Sequence, residues 1–333
     1  MEKIYTSLGL MSGTSMDGVD ASIIKSNGED RYEVVFDQYF KYEDEIYKEL
    51  TDIRNKINFF KDLEFNSVAL ADIERKITLF HASACKKIIT DHNSNIDLIG
   101  FHGQTIFHNA NEKISKQLGD GNLLSELLKK KVVYKFREND ILNGGQGAPL
   151  APIFHQLLIN QNQIKLPTCI LNIGGIANIT MILSKNVNDL KSYDIGPGNC
   201  LLDEWIRKNS GERFDKNGEL AQTGKTDKFI LNQAIDNFDS IKNNNTLSFD
   251  VKDFDLNFVR GLSLKNGLST LTDFTATIIY QAIISSIDLD IDTELNILIC
   301  GGGRKNISLV NSIKNKLPSN MKLSLIDNYK ING

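Results

Sequence analysis

The sequence predicts an α/β protein built from two similar domains. At 333 residues the chain is long for one core and fits two domains of common size. Each half contains strands joined by tight turns, then helices, then a strand that ends in small residues. Apolar residues at every third or fourth position between the strands are typical of amphipathic helices. We therefore expect a mixed sheet flanked by helices in each half.

Composition excludes several classes of partner. The net charge of −4 with 24% charged residues gives no basic surface for nucleic acid or anionic membranes. No segment approaches the ~20 apolar residues that span a bilayer, and the N-terminus lacks the features of a signal peptide. We therefore expect a cytoplasmic protein. The four cysteines are widely spaced, which predicts free thiols rather than disulfides or a zinc site.

The first half predicts a strand, a turn of small residues and two further strands. A helix with Leu70, Ile73, Ile77 and Ile88 on one face should follow, and then an apolar strand at 96–101 that runs into the polar segment 102–105. The predicted strands of this half are 4–10, 19–25 and a third that ends near residue 40. The predicted turns between them are 12–18 and 27–30.

The second half repeats this order. A strand at 168–173 meets a glycine turn, a return strand follows at 176–183, and a short strand ends at Tyr193-Asp194. A helix is predicted at 271–287, and an apolar strand at 295–300 ends in three glycines that open another helix. The expected domains are 1–133 and 134–333.

The turn between the first two strands has the composition of a phosphate site. It reads SGTSMDG at 12–18; backbone N–H groups and hydroxyls in such a turn can donate to phosphate oxygens. Asp17 can hold Mg²⁺ through water. Because two strands flank this turn, it is neither a Walker loop nor a Rossmann turn, which both open a helix. A polar hairpin turn without a ligand is the alternative.

Two further glycine turns strengthen the phosphate interpretation. Gly174-Gly175, with Asn178 behind it, occupies the equivalent position in the second half. Paired phosphate-binding hairpins are typical of the superfamily that includes actin, hexokinase and the heat-shock chaperone ATPases. Gly301 to Gly303 follow a buried strand and allow a base and ribose to lie against the backbone; a tight strand-to-helix turn is the alternative.

Several polar residues are candidates for chemistry on a substrate. Asp194 in DIGPGN can act as a general base, or as an ordinary turn-forming acid. Arg137 can pair with a substrate carboxylate, or with Asp140 in a structural ion pair. His81 and His155 fall on apolar helix faces and are predicted to be packed rather than catalytic.

Seven motifs together resemble one family, the anhydro-N-acetylmuramic acid kinases. In chain order they are GLMSGTSMDGVD, GFHGQTIFH, GGQGAPLAP, NIGGIANIT, DIGPGN, FDKNGELAQTG and CGGGRKN, between Gly9 and Asn306. The resemblance implies two actin-like (ribonuclease H-like) ATPase domains with mixed sheets flanked by helices, and an ATP cleft between them. It also implies a cytoplasmic sugar kinase of peptidoglycan recycling.

The resemblance implies a specific reaction. A water activated by Asp194 opens 1,6-anhydro-N-acetylmuramic acid, and O6 takes the γ-phosphoryl group of ATP, with Mg²⁺ held through water by Asp17. The implied substrate contacts are Gln104, Thr105, Arg137 and Asp194. The implied ATP contacts are Gly13, Thr14, Ser15, Met16, Asp17, Gly18, Val19, Asp20, Gly174, Gly175, Asn178, Gly301, Gly302 and Gly303.

The family normally continues into a C-terminal helix that returns to the first domain and brings an acid near the sugar. This chain ends at Gly333, so we expect the first domain to lack that helix. The alternative function is therefore a non-catalytic protein that binds ATP or an amino sugar; a chaperone-like or filament-forming ATPase is a further one. The expected partner is a small amino sugar, without nucleic acid or membrane, and the family favours a homodimer.

Overall fold

A computed structural model describes residues 3–13, 15–109, 112–242, 249–286, 294–329 and 331, apart from the side chains of residues 240–242. The chain divides into two compact units, Met1–Ala148 and Pro149–Gly333, each with a mixed sheet and its own helices. The predicted α/β class is confirmed. No helix within the described ranges is both long and apolar enough to cross a bilayer.

The sheet of the first unit has the strand order β3-β2-β1-β4-β5, and β6 also pairs with β4. Its first three strands are antiparallel neighbours, whereas β4 runs parallel to β1 and β6 runs parallel to β4. The elements of this unit are β1 (Tyr5–Ser12), β2 (Gly18–Ser26), β3 (Tyr32–Lys41), α1 (Asp44–Lys56), α2 (Phe60–Phe65), α3 (Ser67–His92), β4 (Leu98–Asn109), β5 (Ile114–Leu118), α4 (Gly121–Leu128), β6 (Lys131–Tyr134) and α5 (Phe136–Leu142).

Helix α3 supplies one side of the first core. The predicted apolar face is confirmed, since Leu70, Ile73, Ile77 and Ile88 are all buried. They join the same cluster as the inward residues of β1, β2 and β4. Burial of each such side chain contributes roughly 1.5–3 kcal/mol, which fixes α3 against the sheet.

Strand β4 is longer than predicted. The sequence predicted a strand that ends at residue 101, but the strand continues to Asn109 because its second half pairs with β5 from Gln104↔Leu118 onward. Its first half pairs with β6. Gly103 lies at this change of partner with φ +73°, and a Cβ there would overlap the carbonyl oxygen of Leu118, so the position requires glycine.

The sheet of the second unit has the order β11-β10-β7-β8-β9. Here β7, β8 and β9 are antiparallel neighbours, and β10 lies parallel to both β7 and β11. The elements are α6 (Pro152–Gln161), β7 (Thr168–Ile173), β8 (Ile176–Ile182), β9 (Leu190–Pro197), α7 (Cys200–Asn209), α8 (Glu219–Gln222), α9 (Lys228–Lys242), α10 (Leu264–Ser285), β10 (Leu295–Cys300), α11 (Ile307–Lys316) and β11 (Met321–Leu325).

The two sheets have the same plan, as the repeat in the sequence predicts. In each sheet, three antiparallel strands are followed by two parallel ones. The order is β3-β2-β1-β4-β6 in the first unit and β9-β8-β7-β10-β11 in the second, so β6 corresponds to β11. The predicted boundary after residue 133 falls inside β6, which pairs with β4 of the first unit. Helix α5 also contacts β5, so the first unit extends to Ala148.

Two local predictions for the second unit need correction. Asp194 does not end a strand, since β9 continues to Pro197 and pairs with β8 on both sides of Ile195. The three glycines do not open an α-helix directly. They lead into a 3₁₀ turn, Gly302–Lys305, and α11 begins only at Ile307, because the Asn306 side chain accepts a hydrogen bond from Leu309 N–H and caps α11.

Candidate active site

The turn between β1 and β2 is closed by its own backbone. Met16 N–H donates to the carbonyl oxygen of Gly13 at 3.2 Å, and Met16 has φ 57° with a buried side chain. The left-handed conformation of a methionine is uncommon, and the burial of its side chain offsets the strain. Thr14, an implied ATP contact, lies outside the described residues.

A buried chain of hydrogen bonds lies beneath this turn. The Ser12 hydroxyl contacts the Tyr42 hydroxyl at 3.0 Å and His81 Nε2 at 3.2 Å. His81 Nδ1 lies 2.8 Å from the Ile77 carbonyl and must donate to it, so Nε2 accepts from Ser12. Burial lowers the pKa of His81 to about 4. His81 is therefore neutral and packed, as predicted, and it supports the start of the turn.

Gln104 also holds the turn. Its Nε2 donates to the Gly13 carbonyl at 2.9 Å, and the whole residue is buried. Its Oε1 is buried without a hydrogen-bond partner among the described residues, which is costly for an amide. Gln104, an implied sugar contact, thus contacts the turn between β1 and β2 through its amide.

Asp17 is anchored at the end of the same turn. The Ser15 hydroxyl donates to its carboxylate, its backbone carbonyl accepts from Tyr42 N–H, and the Tyr39 hydroxyl also bonds to the carboxylate. Burial and the neighbouring Asp17 raise the pKa of Tyr39 above its usual value. Asp17 is half-buried, and no group of three metal-binding side chains occurs in the described part of the chain. A single carboxylate fits Mg²⁺ held mainly by phosphates and water.

The remaining residues of this motif differ in exposure. Gly18 lies so close to β3 that a Cβ would overlap the Phe40 carbonyl oxygen. The side chain of Val19 is fully buried in the core, so only its backbone can face a ligand. Asp20 is exposed on β2.

The matching turn of the second unit is held by backbone groups. Gly198 N–H donates to the Gly175 carbonyl at 2.9 Å, and Asn199 N–H donates to the Gly174 carbonyl at 2.8 Å. The Asn199 side chain adds a bond to the Gly174 carbonyl at 3.1 Å. A Cβ on Gly198 would overlap the Gly174 oxygen. The DIGPGN motif therefore clamps the glycine turn.

The three glycines after β10 pack beside the same turn. Gly301 has φ +79°, and a Cβ there would overlap the Asn172 side chain; a Cβ on Gly303 would overlap Ile173. Gly302 has open space around it. Arg304 supports the turn, since it pairs with Asp327 and donates to the Gly301 carbonyl at 3.1 Å. The implied ATP contacts of this unit are thus brought together at the ends of β7 and β10.

Asp194 lies on the edge strand of this sheet, opposite Asn178 on β8, which in turn lies opposite Asn172 on β7. Its Oδ2 accepts from Phe249 N–H at 3.0 Å, which orients the carboxylate. Because directly paired residues face the same side of a sheet, Asn172, Asn178 and Asp194 form one row, the polar row. All three are half-buried.

Two motifs of the first unit meet at Arg137, which lies between them in the sequence. Its Nε donates to His102 Nε2 at 2.9 Å, and its Nη1 donates to the Gly147 carbonyl at 3.1 Å. Burial and the Arg137 charge lower the pKa of His102 to about 4, so this imidazole accepts as a neutral ring. Thr105 Oγ1 accepts from Gln117 Nε2 at 3.3 Å. Arg137 and Thr105, implied sugar contacts, are thus hydrogen-bonded within their own unit.

Sequence reasoning missed Tyr42 and Asn172. Tyr42 follows β3, far along the chain from Ser12, and no local pattern links them. Asn172 had a weak signal, since it interrupts an apolar strand two residues before Gly174. An amide at that place is hard to explain by packing.

Comparisons with known proteins support a single family. A sequence profile described as anhydro-N-acetylmuramic acid kinase matches residues 5–333. The anhydro-N-acetylmuramic acid kinase of Pelagibacter ubique is 65% identical over 333 residues, which cover 100% of this chain and 89% of that protein. The enzyme of the same name from Agrobacterium fabrum is 35% identical over 311 residues, with 92% and 82% covered.

A solved structure, component A of the (R)-2-hydroxyglutaryl-CoA dehydratase of Acidaminococcus fermentans, is 9% identical with a TM-score of 0.47; 96% of this chain and 92% of that chain are covered. The family assignment rests on the profile match and the full-length relatives. The chain belongs to the anhydro-N-acetylmuramic acid kinase family.

Proposed function

We propose that this chain is an ATP-dependent kinase of peptidoglycan recycling. It opens 1,6-anhydro-N-acetylmuramic acid with water and phosphorylates O6, which gives N-acetylmuramic acid 6-phosphate and ADP. One arrangement carries the proposal. Asp194 lies in the polar row beside β8, and β8 begins directly after the Gly174-Gly175 turn. A carboxylate is thereby close to a turn suited to phosphate.

Asp194 acts as the general base in this proposal. Water attacks the anomeric carbon, its proton passes to the Asp194 carboxylate, and the C1–O6 bond breaks with its electrons on O6. That oxygen then attacks the γ-phosphorus of ATP, and ADP leaves. General base catalysis of this kind typically contributes about 10²–10⁴-fold.

The nucleotide is assigned to backbone groups of three turns. Gly174 and Gly175 would donate N–H groups to phosphates, and Gly301 to Gly303 would lie against the adenosine. The proposal keeps the first-unit contacts Gly13, Thr14, Ser15, Met16, Asp17, Gly18, Val19 and Asp20, with Val19 through its backbone alone. Asp17 would hold Mg²⁺ through water, and the ion would supply charge neutralisation of the phosphates.

The sugar contacts are proposed for the first unit. The half-buried Thr105 and the guanidinium of Arg137 would bind the sugar and its lactyl carboxylate. His102 and the Gly147 carbonyl fix the guanidinium plane, which favours paired hydrogen bonds to a carboxylate. Gln104 would act indirectly, because it is fully buried and bonded to Gly13.

The kinase names of the relatives at 65% and 35% identity favour an enzyme over the non-catalytic alternative. A cytoplasmic location belongs to the same proposal, because the reaction consumes ATP. The homodimer expected from the family also stays a proposal.

The test is product analysis by mass spectrometry after incubation with Mg-ATP and 1,6-anhydro-N-acetylmuramic acid. The proposal predicts a sugar product heavier than the substrate by one water and one phosphoryl group, with one ADP for each product molecule. ADP release that proceeds equally without sugar, or a phosphorylated sugar that has not gained water, would contradict it.

A further inference from the structure

A β-bulge in β9 places Asp194 in the polar row. Ala177 pairs with Gly196, but the next residue of β8, Asn178, pairs with Asp194. Ile195 is therefore the extra residue of the bulge, and its side chain is buried in the opposite core. In an unbroken ladder Ile195 would lie opposite Asn178 instead. Bulges recur next to active sites because they re-aim a side chain, and this one brings Asp194 opposite an amide.

The two amides of the row make no hydrogen bond to any other described residue. Within the described residues, neither the Asn172 nor the Asn178 side chain has a hydrogen-bond partner, although both are half-buried. Other asparagines of the unit differ, since Asn199, Asn296 and Asn306 all bond to backbone groups. Half-buried amides are normally satisfied by protein or water. Asn178 is thus available to a small polar molecule beside Asp194.

The geometry favours water as that molecule. Directly paired residues of an antiparallel ladder have Cβ atoms about 4.5–5.5 Å apart, so a single water can reach both side chains. A water that attacks carbon along one lone pair carries two hydrogens, and the base accepts only one. A second acceptor fixes the remaining O–H and thereby the direction of the lone pair.

We propose that Asn178 is a further catalytic residue, which accepts the second hydrogen of the nucleophilic water through Oδ1; this rests on the proposed function. In the step, the water oxygen forms the bond to the anomeric carbon as C1–O6 breaks. One water proton passes to Asp194, and the other stays on the new C1 hydroxyl, hydrogen-bonded to Asn178. The residue therefore acts on the sugar side of the reaction rather than as the ATP contact first expected.

The principal test compares Asn178→Ala with Asn296→Ala. Each removes one amide from the same sheet, and Asn296 lies at the far end of β10, where it donates to the Lys165 carbonyl. We expect the kcat of sugar-dependent ADP release to fall about 10²-fold or more in Asn178→Ala, with the KM for ATP unchanged. Asn296→Ala should keep the wild-type kcat. A wild-type kcat in folded Asn178→Ala overturns the inference, and so does a defect confined to the KM for ATP.

A second variant separates water binding from a structural effect. Asn178→Asp keeps an acceptor oxygen and adds a carboxylate opposite Asp194. Repulsion between like charges at this distance raises the pKa at which the second carboxyl of the pair ionises, so the acid limb of the kcat/KM profile should move to higher pH. An acid limb at the wild-type pH overturns the inference even if Asn178→Ala fails to fold. A wild-type protein that releases no sugar-dependent ADP overturns the proposed function itself, a result distinct from the loss of activity in one variant.

Discussion

The two units share one strand order but hold their central turns by different means. The turn after β1 is held mainly by side-chain hydrogen bonds. Ser12, the last residue of β1, bonds to Tyr42 and His81. Gln104 donates to the Gly13 carbonyl, and the Tyr39 hydroxyl bonds to Asp17. The turn after β7 is held by backbone bonds from Gly198 and Asn199. Two units with the same strand order therefore need not hold their turns with the same kind of hydrogen bond. Side-chain substitutions and low pH should therefore destabilise the first turn, whereas a Cβ added to a glycine should destabilise the second.

The largest expected effect is the loss of stability of the first unit in acid. Burial lowers the pKa of His81 and His102 in the first unit, and of His155 in the second, to about 4. Below the usual pKa of 6.5 the unfolded state binds protons that the folded state does not, so stability falls from about pH 6.5 to 4. By pH 5 the loss is about 2 kcal/mol per histidine.

Hydrogen exchange followed by mass spectrometry measures this loss in each unit separately. With two histidines of described low pKa in the first unit against one in the second, the first unit should lose about twice as much protection free energy from these groups between pH 6.5 and 5. Equal losses in the two units would contradict the comparison.

The second prediction tests the backbone clamp with adjacent glycines. Gly301→Ala should destabilise the second unit by about 3 kcal/mol, because it combines a left-handed backbone with a clash. Gly302→Ala is the matched control, since its Cβ enters open space. The measurement is hydrogen-exchange protection of the second unit in the absence of nucleotide. Similar stability of the two variants would show that this turn tolerates a side chain.

The third prediction tests the side-chain clamp. Ser12→Ala leaves His81 Nε2 and the Tyr42 hydroxyl without their partner, and should cost about 2 kcal/mol. In the second unit, Thr275 donates to the Gly198 carbonyl at 3.5 Å, a long bond whose removal in Thr275→Val should cost under about 1 kcal/mol. The measurement is the free energy of unfolding of both variants by urea titration. A larger loss in Thr275→Val than in Ser12→Ala would contradict the view that side chains hold the first turn and backbone groups hold the second.

The smallest expected effect is at the surface of the second sheet. Lys165 and Lys322 both pair with Glu294 near the start of β10, and they lower the pKa of its carboxyl. All three side chains are exposed, and water and salt screen such pairs. Glu294→Gln should leave the urea midpoint unchanged at 0.15 M salt. A clear fall in the midpoint would mean that this cluster stabilises the sheet.

Much of the fold follows from local patterns. Strands β7 and β10 have the predicted bounds because continuous apolar runs end at glycines, and α3 follows its apolar spacing. The extension of β4 was missed because it depends on pairing with β5, which no local signal reveals. The glycine turns of the second unit were predicted as a set, and they do lie together.

The arrangement around Asp194 could not be predicted from the sequence. Asp194 was chosen from its motif, but its position opposite Asn178 depends on the bulge at Ile195, a property of strand pairing. The supporting contacts of Ser12 with Tyr42 and His81 are likewise long-range. Their partners come from β1, the end of β3 and α3, which only the folded sheet brings together.

The most direct test of the account is sugar-dependent ADP release by Asp194→Asn beside the wild type. The asparagine keeps an oxygen for Phe249 N–H, so the fold should persist, and Asp189→Asn serves as the control on the same unit. We predict a fall of about 10²-fold or more in Asp194→Asn alone. A wild-type rate in Asp194→Asn would contradict the assignment of Asp194 as the base, and with it the role of the polar row.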